Sequence, residues 1–201
     1  IWVWTGDVAR QPLPWIPELK EDACDARLGN HFEKECHPNV VMINAIDAQH
    51  VNSVHNLPVN LFLEPTEVNT NAITFSNTTR VPDTSMLTRF IGRFYKGPLT
   101  YSMTYWYGST GSVTIGPDFL HFHIIFALRQ LAGGRTEGQT LLVTKARPGV
   151  LGWMFNRVLL VLTEVVGNYF AKGDTLIFKS IRFNLQTPIP QDQAIVRFIK
   201  H

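Results

Sequence analysis

Apolar and polar residues alternate most cleanly where Leu99, Tyr101, Met103, Tyr105 and Tyr107 are interleaved with Thr100, Ser102, Thr104 and Trp106. Period two sends successive side chains to opposite faces of an extended chain, so this stretch predicts a strand with one apolar face. Gly-Ser-Thr-Gly at 108–111 ends it as a turn. Leu120, Phe122, Ile124, Phe126 and Leu128 repeat the pattern before Gly133-Gly134, and Val40, Val41, Ile43 and Ile46 form an apolar run between Pro38 and Asp47. Further strands are expected at 59–63, 141–143, 158–162, 175–183 and 194–199, separated by Pro148-Gly149, Gly173-Asp174 and Pro188-Ile189-Pro190. One segment breaks the period: Met86, Leu87, Phe90, Ile91 and Phe94 recur at helical spacing behind the capping oxygens of Asp83, Thr84 and Ser85.

About eight strands at the turn spacing of a sandwich or barrel, with one short helix, predict an all-β fold. The expected architecture is an eight-stranded antiparallel jelly-roll β-sandwich with a short covering helix. Residues 1–38 differ: Trp2, Trp4, Pro12, Pro14, Trp15 and Pro17 deny regular structure and predict an extended N-terminal arm, leaving 39–201 as the jelly-roll domain. Three tryptophans need a partner surface, either the arm's own domain or a neighbouring subunit. Glu18 to Glu35 is polar and reads as short helix or loop.

Composition then narrows the class. The chain has 201 residues, 45% of them hydrophobic and 17% charged, enough to bury a core without disulfides or metals. Its 18 Lys+Arg against 16 Asp+Glu, with no run of like charge, argue against a basic nucleic-acid arm. No apolar run approaches the length of a membrane span, the longest being 158–162 and 124–128, so a soluble chain is expected. Its start at Ile1 reads as a processed or truncated product.

Candidate chemistry is sparse. His121-Phe122-His123 would place two imidazoles on one strand face and resembles the His-x-His of cupins. However, Gly116 stands five rather than six positions before it, no acidic ligand follows at 124–130, and no histidine occurs after Pro148-Gly149 at 150–156. Cys24, His31, Cys36 and His37 lack the close pairing of a zinc knuckle, leaving zinc, a disulfide or free thiols open for Cys24 and Cys36. There is no nucleophile elbow, phosphate loop or dinucleotide fingerprint. Glu164, Lys172, Asp174 and Lys179 read as strand-edge charges, and Arg89 and Arg93 as a solvated helical face. No catalytic, cofactor-binding or metal-ligating residue is therefore assigned.

The segment Thr88 to Gly111 (TRFIGRFYKGPLTYSMTYWYGSTG) resembles picornavirus-like capsid proteins, in which a helix leads through an aromatic pair and glycine into a long strand, here Phe94-Tyr95-Lys96-Gly97-Pro98-Leu99. Leu57 to Pro65 and the Thr187-Pro188-Ile189-Pro190 loop are similar to segments of invertebrate picorna-like coat proteins. The resemblance implies a non-enzymatic structural subunit, assembled in the host cytoplasm with related subunits into an icosahedral virion shell around RNA. Its partners would be other capsid subunits, with genomic RNA against the inner surface. A cupin-like metal-dependent enzyme using His121 and His123, or a lectin-like module, is the alternative.

Overall fold

The computed structural model describes residues 7–8, 12–19, 23–55, 62–80, 89, 92–106, 108–117, 119–181, 184 and 186–201. Seven strands form one antiparallel sheet: β1 (Cys24–Lys34), β2 (Glu64–Asn69), β3 (Ala72–Arg80), β4 (Pro98–Trp106), β5 (Thr110–Pro117), β6 (Phe122–Gln130) and β7 (Thr136–Lys145). Their order across the sheet is β1-β7-β6-β5-β4-β3-β2, so β2 to β7 is a meander of nearest neighbours and β1 returns to pair with the last strand. The sheet stays open, with β1 and β2 at its edges. This corrects the jelly roll: a chain that pairs each strand with the next through tight turns builds one layer, not the two Greek-key sheets of a sandwich.

Four α-helices flank the sheet along the described stretches: α1 (Pro38–Asn44), α2 (Ala48–Val54), α3 (Gly149–Phe178) and α4 (Gln193–Lys200), besides short helical turns. Four of the expected strands are therefore wholly or partly helical. Residues 40–44 of the first run lie in α1, 158–162 and 175–178 lie in α3, and 194–199 lies in α4. The polar stretch read as helix or loop is β1. The helix expected over 86–94 and the strand at 59–63 fall mostly outside the described residues, although 92–94 are helical. The expectation that no segment is long enough to cross a membrane is also corrected, because α3 has the length and apolar composition to do so.

Register explains where the core lies. Tyr101, Met103 and Tyr105 of β4 stand opposite Ile115, Val113 and Gly111 of β5, and across β3 they meet Asn77, Phe75 and Ile73. That parity makes one apolar face, on which Met42, Ile43 and Ile46 pack together with Ala194 and Ile195 of α4. The phenol of Tyr105 donates to the Met42 carbonyl and that of Tyr101 to the Ala45 carbonyl, tying α1 to the sheet. The opposite parity is polar, with Ser102, Thr104, Ser112, Thr114 and His123 all buried. Residues 12–19 cover this side: the Trp15 ring lies 4.2 Å from Trp106, and Ile16 and Leu19 pack on Val143. This part of the arm lies across its own domain; Trp2 and Trp4 fall outside the described residues.

α3 runs along β1, held by a ladder of polar contacts. Asn156 donates to Asp25 (2.6 Å), Arg27 pairs with Glu164 (2.9 Å), Asn30 donates to Asn168 and Lys34 donates to Thr175 (2.7 Å). Asp25 to Lys34 spans about 30 Å of strand and Asn156 to Thr175 about 29 Å of helix, so the two elements keep step over their whole contact.

Candidate metal centre

Two features bring His50, His55 and Asp174 together. Asp47 caps α2, its Oδ1 accepting from the backbone N–H groups of Gln49 (2.9 Å) and His50 (3.1 Å), which fixes His50 in the first turn. The helix stops at Val54 with His55 at its C-cap, still in a right-handed helical conformation, and the two imidazole centroids are 4.9 Å apart and edge-on. Asp174 arrives from α3, one turn after Phe170, whose ring stands edge-on to His55 at 4.8 Å.

The donor atoms form a nearly equilateral triangle. His50 Nε2 lies 2.9 Å from Asp174 Oδ1, His55 Nε2 lies 3.1 Å from the same oxygen, and the two Nε2 atoms are 3.1 Å apart. Ligands at about 2.1 Å from an ion and at right angles to one another are separated by about 3.0 Å; at tetrahedral angles the separation is about 3.4 Å. The triangle therefore matches one face of an octahedron. Two imidazoles and one carboxylate in that arrangement are the facial triad that suits ferrous iron and leaves the opposite positions open.

Electrostatics agree. The three side chains are 6–15% exposed. Burial pushes His55 below the ordinary imidazole value, against the opposing pull of Asp174, which favours the neutral ring that metal binding requires. Burial likewise lowers the Lys34 ammonium, whose contact with Thr175 sits beside Asp174, while the Asp174 and Cys36 charges oppose that shift. Among the described residues this is the one cluster of three or more metal-type donors.

The residues singled out from sequence lie elsewhere. His123 is buried on the arm-covered face, its Nδ1 2.9 Å from the Thr114 hydroxyl, and the His121 ring is 5.8 Å away. Cys24 opens β1 and Cys36 lies just past its other end, and no disulfide joins them; His31 pairs with Glu137 at 2.9 Å, and His37 caps α1. Glu164 and Asp174 are not strand-edge charges but inward groups of α3. The signal that sequence reasoning missed was Asp47-x2-His50-x4-His55, a capping carboxylate with imidazoles three and eight residues after it.

No known sequence family matches the chain, and no curated protein matches it by sequence. Solved structures do resemble it. They include NdmB of Pseudomonas putida CBB5 (13% identity, TM-score 0.57, covering 94% of this chain and 52% of that one). Dicamba monooxygenase with non-heme iron and dicamba is another (16%, 0.56, 99% and 63%), as is NdmA of the same Pseudomonas strain with caffeine (9%, 0.59, 94% and 54%). The chain thus spans about half to three-fifths of the length of these proteins and shares their fold. These neighbours are Rieske-type non-heme iron oxygenases. The likeness overturns the capsid reading together with what hung on it: absence of enzymatic activity, capsid-subunit and RNA partners, and a place in the virion.

Proposed function

We propose that this chain is the iron-binding catalytic portion of a non-heme iron oxygenase, with His50, His55 and Asp174 as the iron ligands. The observation that carries the reading is the triangle of donors with edges of 2.9–3.1 Å, set in the same fold as dicamba monooxygenase. Bound iron would supply the activation of dioxygen at the positions that three protein ligands leave open.

The chain's own residues do the rest. Asp47 holds His50 by capping α2, Phe170 buttresses the His55 ring, and the Lys34–Thr175 contact fixes the last turns of α3 beside Asp174. Burial of the triad keeps water from competing for the donors and keeps His55 unprotonated near neutrality. Phe170 stands beside the centre, and the substrate class we infer is an apolar or aromatic organic molecule, of the kind that dicamba and caffeine represent in the structural neighbours. The reductant would be supplied by parts of the protein, or a partner, beyond these residues.

Anaerobic loading of the full-length protein with ferrous iron tests this. One iron per chain is expected, with the paramagnetic resonance signal of its nitric oxide adduct, and both are lost in His50→Ala and Asp174→Ala. Stoichiometric zinc resisting exchange for iron, or an Asp174→Ala variant that holds iron as tightly as the parent, would overturn the assignment.

A further inference from the structure

The outer side of α3 poses a problem that the metal centre does not solve. Leu151, Met154, Val158, Leu162, Val165 and Tyr169 recur every three or four residues and form one stripe, each between half and four-fifths exposed. The inner stripe of Asn156, Leu159, Leu160 and Thr163 is buried against the sheet. A surface helix ordinarily turns a polar face to water, and an apolar strip running along about 27 Å of helix marks a contact surface.

Charge selects the occupant. Of the four charged residues in α3, both acids point inward: Glu164 is paired with Arg27, and Asp174 belongs to the donor triangle. The exposed charges on the helix are Arg157 and Lys172, both cationic. The Arg157 guanidinium lies 5.4 Å from the Trp153 ring. An aromatic ring beside a cation that can reach outward is the pairing found at the boundary between acyl chains and headgroups. A second copy of the same face would instead bring these cations together.

Geometry decides how such a helix meets lipid. α3 is long and apolar enough to cross a bilayer, yet its polar ladder to β1 fastens it to the sheet from Asn156 to Thr175. A helix so gripped cannot be threaded through a membrane; it can lie on one. We propose that the outer face of α3 docks in the headgroup–acyl boundary of an anionic bilayer, with Arg157 and Lys172 meeting lipid phosphates. This goes beyond the oxygenase reading and does not depend on it.

The test is co-sedimentation of the full-length protein with vesicles of phosphatidylcholine alone or mixed with phosphatidylglycerol. Binding is expected to the mixed vesicles, with brominated acyl chains quenching a fluorescence component that Trp153→Phe removes. Leu162→Glu with Val165→Glu, and separately Leu151→Glu near the helix start, should lower the bound fraction at least about ten-fold while circular dichroism and iron content stay unchanged. Arg157→Gln should reduce the preference for phosphatidylglycerol. Failure to bind either vesicle, or binding undiminished in the glutamate variants, would overturn the proposal. So would glutamate variants that convert a stable oligomer to monomers without altering vesicle binding, since the face would then join copies of the chain.

Discussion

Acid should loosen the arm-covered side of the sheet through one side chain. His123 is 1% exposed, faces the Thr114 hydroxyl, and is linked through it to Glu18, whose other carboxylate oxygen accepts from Ser102. Burial lowers its value from 6.5 to about 4; the Glu18 carboxylate opposes the shift and the neighbouring His121 reinforces it. Because the unfolded chain takes up this proton near pH 6.5 and the native chain refuses it until about pH 4, unfolding binds protons across that window. The neutral ring therefore contributes its stability in full above about pH 6.5 and loses it as pH falls toward 4. The difference corresponds to about 3 kcal/mol, a large share of the roughly 5–15 kcal/mol that holds a domain folded. Urea unfolding followed by circular dichroism, at steps from pH 7.5 to 4, measures it directly. His55, depressed by burial, titrates in the same direction, so the informative quantity is the difference between the parent and His123→Gln. The parent should lose about 3 kcal/mol more than the variant over the window. Parallel curves for the two proteins would refute the argument.

Two stability changes follow from the same packing. Gly116 has φ +133°, and a Cβ there would come within 2.4 Å of the Leu120 carbonyl oxygen, a backbone atom that cannot step aside. Gly116→Ala should cost about 2–4 kcal/mol, seen as a lowered thermal midpoint. Trp15→Ala removes the ring packed at a tilt 4.2 Å from Trp106 and should cost about 2 kcal/mol in urea unfolding. The same variant should accelerate proteolytic cleavage between residues 12 and 19.

How far the sequence revealed this fold depended on what each element has on its two sides. β4 was legible because its sides differ: Tyr101, Met103 and Tyr105 enter the main core while Ser102 and Thr104 lie under the arm. α3 was illegible for the opposite reason. With Leu159 and Leu160 facing the sheet and Val158, Val161 and Leu162 facing outward, the helical period vanishes into a continuous apolar run that reads as a buried strand. β1 carried no apolar signal because it is an edge strand whose helix-facing side chains are the polar rungs Asp25, Arg27 and Lys34. The likeness of the Thr88 to Gly111 segment to coat proteins rested on a helix-glycine-strand transition that any fold with that junction can contain.

The metal centre escaped notice for a related cause. Asp174 follows Gly173, a pair that reads as a turn, and misplacing α3 removed any reason to bring it to the histidines. Asp47 was read only as the boundary of an apolar run and His50 was not singled out, when the capping carboxylate actually starts a new helix. The informative spacing was local, but its completion was not.

His50 and Asp174 are 124 residues apart, and every strand from β2 to β7 lies between them. A growing chain emerging from the ribosome therefore presents two imidazoles before the carboxylate is synthesised, and the triangle requires α3 to be in its place along β1. Closing so long a loop adds little entropy penalty beyond that of a loop half the length. An ion seated there would act as a clasp across nearly the whole sheet, retained by finished molecules and shed by incomplete ones. The centre would thus report on the integrity of the chain that made it.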